Sequence, residues 1–139
     1  MGLNRRMIVG CALCALPGLI ATSTTGMAQS APAATPGVKR KILSQIDGPT
    51  PGYVTVAVEL EIEAGAVVAR HTHPGIESTV FTAGAGELLI DGQPAKAFKA
   101  GDAIQVPAGT IHSVKNGSGV TKGIGTYVVE KGKPLASPA

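Results

Sequence analysis

Cysteine is nearly absent from this chain of 139 residues. There are two, Cys11 and Cys14, and both sit in one apolar stretch near the start. Their C-x-x-C spacing acts as a redox motif only in a folded context, which an apolar leader does not supply. Everything after them is free of thiols. A domain built there has no disulfide and depends on its core and on any ion it holds. Concentrated positive charge is scarce too. The net charge of +3 includes Arg5 and Arg6 in the same leader and falls to +1 without them. The run Lys39-Arg40-Lys41 sits before the first strong strand and reads as a solvated face, so nothing suggests a nucleic-acid partner. No stretch sustains a helical period. Histidine is the last scarcity: the chain has three, His71, His73 and His112.

The first 28 residues read as an export signal. Arg5-Arg6 form a positive head, Met7 to Ile20 is mostly apolar, and Gly26-Met27-Ala28 is a small-x-small cleavage site. The apolar run is too short, and too interrupted by Gly10, Pro17 and Gly18, for a membrane anchor. Ile8-Val9-Gly10 ahead of Cys11 only faintly resembles a lipoprotein box, because few apolar residues precede the cysteine. The paired arginines partly resemble a twin-arginine signal, with Asn4 where Ser or Thr is usual. The general secretory and twin-arginine routes both stay open. The expected mature protein starts at Gln29 and is periplasmic or secreted, with no membrane attachment once the signal is removed.

Residues 29–39 form a lead-in of small and turn-forming residues. The strongest strand signal follows at Tyr53 to Ile62. There Val54, Val56, Val58, Leu60 and Ile62 alternate with Thr55, Ala57, Glu59 and Glu61, one face buried and one wet. Further strands are expected at Val67–His73, Ser78–Thr82, Glu87–Ile90, Ala97–Phe98, Ala103–Val106, His112–Lys115 and Gly123–Val129. Asp91-Gly92 reads as a tight hairpin turn. Pro134 to Ala139 is expected to fray. Many short strands divided by Gly and Pro predict an all-β sandwich or barrel.

All three histidines fall within two short motifs. The first runs from Gly65 through His71, His73 and Glu77 to Gly84. The second runs from Gly101 through Pro107, Gly109 and His112 to Asn116. His71 and His73 are two residues apart, so on a strand both imidazoles share a face. Pro74-Gly75 breaks that strand, and the chain turns to deliver Glu77. His112 arrives from far along the sequence after a second turn, Pro107-Ala108-Gly109. Two local side chains, one across a turn and one distant can thus converge. Three imidazoles and a carboxylate suit a first-row divalent ion.

The ten fixed positions of these motifs resemble the cupin pattern G-x5-H-x-H-x3,4-E-x6-G followed by G-x5-P-x-G-x2-H-x3-N, and every fixed position is matched. The resemblance implies a single-domain jelly roll, a double-stranded β-helix, over residues 40–130, with 131–139 as a tail. It implies that His71, His73, Glu77 and His112 are metal ligands for one divalent transition ion per chain. Mn, Fe, Zn, Cu and Ni all remain open. It also implies a homodimer, and the long apolar face of Tyr53–Ile62 at an open sheet edge would invite such pairing.

Alternation suggests what lines the site. With His71 and His73 inward, Ala69 and Val67 follow, while Arg70 and Thr72 point out. With Glu77 inward go Thr79 and Phe81. With His112 go Val114 and Thr110, while Lys115 faces away. Gln105 reaches the cavity only if its strand runs the favourable way, and Tyr53 and Tyr127 stay unplaced. No histidine is left over as a general base, which disfavours a metal-free proton-shuttling epimerase. The leading expectation is a metal-dependent oxidoreductase of the quercetinase-like dioxygenase type, acting on a small oxygen-rich, anionic molecule such as an enolate, carboxylate or catecholate. Two others stand beside it: a non-catalytic cupin that binds a small ligand or metal, and a metal-assisted lyase or decarboxylase. Fold-level likeness does not choose among them. N-terminal sequencing of the exported protein should begin at or near Gln29; an intact Met1 in a soluble cytoplasmic pool would refute the signal.

Overall fold

Period-two alternation governs the longest strand as the sequence predicts. Val54, Val56, Val58 and Ile62 are buried, and Leu60 is half-buried on the same face. The computed structural model describes residues 34–139; the expected export signal, residues 1–28, lies outside them. In order, the elements are β1 (Val38–Asp47), β2 (Tyr53–Ile62), β3 (Val67–Thr72), β4 (Gly75–Ala83), β5 (Ala85–Ile90), β6 (Lys96–Lys99), β7 (Ala103–Val106), β8 (His112–Asn116), β9 (Thr121–Glu130) and β10 (Ser137–Pro138). All ladders between them are antiparallel. They make two five-stranded sheets, ordered β1-β2-β9-β4-β7 and β10-β3-β8-β5-β6. This is the expected jelly roll, and the described residues contain no helix.

The core lies between the sheets. One cluster joins Ile62, Phe81, Ile104 and Val106 from the first sheet to Val68, Leu88, Phe98 and Val114 from the second. Phe81 and Phe98 stack across the gap with ring centroids 3.8 Å apart. A second cluster holds Val54, Val56, Val58, Tyr127, Val129 and Leu135. Four glycines of the two motifs, Gly65, Gly84, Gly101 and Gly109, have positive φ. A side chain there would be strained, which is why the turns between strands carry glycine.

Four expectations need correction. Lys39-Arg40-Lys41 does not precede the first strand; it lies within β1, and only Lys39 and Lys41 are exposed. Tyr53–Ile62 is not a sheet edge, because β1 covers it on one side and β9 on the other. The edge strand beside it is β1, which exposes Ile42, Leu43 and Ile46. Asp91-Gly92 is the centre of a tight turn, with the Gln93 N–H donating to the Ile90 carbonyl at 3.1 Å, but it does not close a two-residue hairpin. The pairing of β5 with β6 ends at Leu88–Lys96, leaving a wider loop. The C-terminal residues do not fray. Leu135 is 1% exposed, and Ser137 and Pro138 pair with Thr72 and His71 of β3. A single apolar residue in a Pro-containing tail is a weak sequence signal, yet it is enough to dock the segment.

Asn116, the last fixed residue of the second motif, ties loops together. Its side-chain amide donates to the carbonyls of Ile62 (3.0 Å), Glu63 (2.8 Å) and Gly119 (2.9 Å). Its oxygen accepts from the Thr121 hydroxyl at 2.6 Å, and Thr121 is fully buried. Removing one partner of a buried pair leaves the other unsatisfied. Thr121→Val should therefore cost about 1–3 kcal/mol in urea unfolding. Thr126→Val, on an exposed position of the same strand, should change stability by less than about 0.5 kcal/mol.

Candidate metal centre

Both sheets supply the site. His71 is the penultimate residue of β3 and His112 opens β8, and the two are direct partners across that ladder. His73 lies in the β3–β4 connection, and Glu77 comes from β4 in the other sheet. One potential ligand atom from each of these four residues lies within 4.8 Å of all the others. His73, Glu77 and His112 are buried at 4%, 6% and 2% exposure, and His71 is half-buried. The structure thus brings together all four residues singled out in the sequence, and they could hold a metal ion.

The imidazoles are fixed from behind. The Nδ1–H of His71 donates to the Ala69 carbonyl at 2.7 Å, that of His73 to Leu135 at 2.6 Å, and that of His112 to Thr110 at 3.0 Å. Spending Nδ1 outward leaves Nε2 with its lone pair facing the centre. Glu77 Oε2 stands 3.0 Å from His73 Nε2 and 3.2 Å from His112 Nε2. Lone-pair atoms this close repel unless a proton or a cation lies between them. The short His73–Glu77 separation is not a hydrogen bond, for His73 Nε2 is buried without a partner. A buried acceptor with no donor, facing a carboxylate, is what the donor set of a cation site looks like.

The other carboxylate oxygen is held by protein. Glu77 Oε1 accepts from the Thr79 hydroxyl at 2.7 Å and from the Tyr127 hydroxyl at 3.2 Å. Gly125 keeps room for this arrangement: a Cβ there would sit 2.9 Å from Thr79 Oγ1 and 2.8 Å from the Tyr127 ring. Burial works against the Glu77 charge, but the hydrogen bond from His112, the proximity of the His73 ring and the Thr79 hydroxyl outweigh it and hold its pKa well below the usual carboxylate range. Burial likewise opposes charge on His112, where the Glu77 hydrogen bond prevails and raises its pKa. His71 has no such support. Burial first, and then the charge of His112, push its pKa down to about 4. Burial, followed by the charge of Glu77, raises the Tyr127 hydroxyl far above its ordinary value.

The predicted inward face is right on β4, although Thr79 and Phe81 lie behind the pocket rather than in its lining, and it is wrong on β3. Thr79 and Phe81 are buried, as is Val114, while Lys115 is exposed. Thr110 contributes its carbonyl. Val67 and Ala69, expected inward, are exposed, and Val68 is buried instead. The cause is a bulge: two partners on β8 oppose three steps of β3 between Val68 and His71, which reverses the alternation. Arg70 faces out as expected and pairs with Asp91. Gln105 is exposed and Tyr53 lies on a separate groove. The pocket lining also includes residues that sequence reasoning missed, Arg40, Leu60, Ile104 and Tyr127. Arg40 had a signal: it is in phase with Val38 and pairs directly with Leu60, so parity places it on the inner side of β1.

Comparisons with known proteins agree with this geometry. The cupin domain family matches residues 58–129, more than half of the chain. No curated protein matches. Among solved structures, a cupin-like protein from Thermotoga maritima is 26% identical, with 65% of this chain and 67% of that one covered and a TM-score of 0.56. A double-stranded β-helix protein from Klebsiella pneumoniae is 19% identical over 70% of this chain and 81% of its own, with a TM-score of 0.58. The polyketide cyclase RemF from Streptomyces resistomycificus is 20% identical over 76% and 72%, with a TM-score of 0.59. The last two show the fold alone.

The depressed pKa of His71 gives a test in the metal-free protein. The unfolded chain carries this group at its ordinary 6.5 and the folded chain at about 4. Between those values the unfolded state binds more protons, so the stabilisation is full above the first and is lost as pH falls through the second. Relative to His71→Leu, the metal-free protein should lose thermal stability as pH drops across that window, by a few degrees or more. A difference that stays constant with pH would refute the burial of a neutral imidazole. With its two motifs complete, its four side chains converged and its family matched over residues 58–129, the chain belongs to the cupin superfamily.

Proposed function

We propose that the protein is an exported, metal-dependent oxidoreductase of the quercetinase-like dioxygenase type that acts on a small oxygen-rich organic molecule. His71, His73, Glu77 and His112 are its ligands for one divalent transition ion. The observation that carries the reading is the facing of His73 Nε2 and Glu77 Oε2 at 3.0 Å, with that nitrogen otherwise unpartnered. A bound ion would supply Lewis acidity or a path for electrons to dioxygen. The chain's own residues do the rest. The three outward Nδ1–H bonds keep the imidazoles aimed inward, and Thr79 and Tyr127 keep one Glu77 oxygen turned away from the centre. Leu60, Val68, Ile104 and Val114 make an apolar wall that limits water. No histidine or carboxylate in this lining is left over as a general base.

One divalent charge and one carboxylate leave the centre near +1, which favours an anionic oxygen ligand. A second reading, metal-assisted lyase or decarboxylase chemistry, is favoured by one observation: the Tyr127 hydroxyl in the lining is a possible proton donor. Its proton is engaged by Glu77 and its pKa is raised by burial, which weighs against that role. We further propose a homodimer in which β1, the exposed edge carrying Ile42, Leu43 and Ile46, is covered by a second copy.

Elemental analysis of protein from its native compartment should find about one transition ion per chain, and light scattering should give twice the chain mass. Oxygen uptake should appear with members of a panel of catechols, enediols and flavonols. His112→Ala should lose most of the metal and melt earlier, whereas Arg70→Ala, facing away, should keep it. Full metal in His112→Ala with unchanged stability would end the four-ligand reading. Substrate turnover without oxygen would move the assignment to lyase chemistry, and metal without turnover would leave a binding protein.

A further inference from the structure

Arg40 is the one arginine or lysine in the lining of the pocket that the four candidate ligands enclose. It is half-buried on β1. Burial lowers its pKa, opposed by the charges of Tyr127 and Glu77. Ion pairs among the described residues engage Lys39, Arg70, Lys122, Lys131 and Lys133, and none engages Arg40. A guanidinium withdrawn from water without a carboxylate partner is an anion site in waiting.

The space around it fits that role. The pocket among the four side chains is about 30 Å³, which has room for little more than a water molecule. Next to it is a cavity of about 190 Å³, lined by Arg40, Val68, His71, the tail residues Ala136, Ser137 and Pro138, and Arg70, whose guanidinium is already paired with Asp91. Arg40, Val68 and His71 border both spaces. A ligand that reaches the centre past His71 therefore lies along Arg40. Drug-sized ligands occupy roughly 300–1,000 Å³, so the outer cavity suits a smaller molecule than a flavonol.

We infer that Arg40 anchors the substrate's second anionic group, so that the ligand is a small dianion with one oxygen pair at the metal centre and a carboxylate on the guanidinium. This rests on the metal-centred reading above and narrows its substrate class. Arg40 is then a binding and specificity residue supplied by an edge strand that lies outside both motifs.

Two probes with the same oxalyl head separate the contributions. N-oxalylglycine carries a second carboxylate and oxamate does not. Titration calorimetry with the zinc-loaded mature protein should show N-oxalylglycine binding about 10–100-fold tighter than oxamate, the span expected of one charge-assisted anchor. Arg40→Gln should erase that preference, costing N-oxalylglycine about 10–100-fold more affinity than oxamate, while zinc content stays unchanged. Arg40→Lys, which keeps the charge but not the fork, should keep part of it. Lys39→Gln, the exposed neighbour, should keep all of it. A wild type without preference, a preference that survives in Arg40→Gln, or an equal loss in Lys39→Gln would overturn the anchor. A wild type that binds no zinc would overturn the metal reading, and the anchor with it; zinc analysis of the same samples tells the two failures apart.

Discussion

A carboxylate buried to 6% exposure is the constraint on which the rest of this structure turns. Charge withdrawn from water must be met by donors or by an ion. Glu77 is met on Oε1 by Thr79 and Tyr127 and faces His73 and His112 with Oε2. Thr79 belongs to its own strand and Tyr127 to the neighbouring β9. His112 belongs to the opposite sheet, and His73 follows β3. The demands of one side chain thus fix the positions of both sheets relative to each other. The apolar clusters press the sheets together without direction, and the polar centre sets their register.

The imidazoles show the same division of labour. Each ring is oriented by a backbone carbonyl, two of them local and one from Leu135 in the tail. Local carbonyls come with the strand. The distant one requires that Leu135 be buried in the second apolar cluster. Hydrophobic docking of the tail therefore positions the ring of His73.

Much of this could be read from the chain. The period-two run located β2, the strand candidates at Ser78–Thr82 and Gly123–Val129 fell inside β4 and β9, and the motif residues gave all four members of the centre. What the residues did not reveal has physical causes. The bulge between Val68 and His71 adds a residue to one strand, and no composition marks it, so the expected inward faces of Val67 and Ala69 were wrong. Arg40 was masked by its neighbours: between Lys39 and Lys41 it looks like part of a solvated run, and its phase with Val38 gains meaning only when pairing with Leu60 shows which way that face points. Tyr127 could be placed on a strand, but its approach to Glu77 depends on the register of β4 with β9.

The two-sheet origin of the centre has a mechanical consequence. Closely packed interiors have low compressibility. An ion held by Glu77 from one sheet and His71 and His112 from the other would act as a spacer in a stiff sandwich, with the stacked Phe81 and Phe98 rings bridging the same gap. An ion of the wrong radius would have to separate or draw together two whole sheets, not merely shift four side chains. Discrimination among metals in such a barrel is therefore an elastic property of its core as much as a chemical property of its ligands.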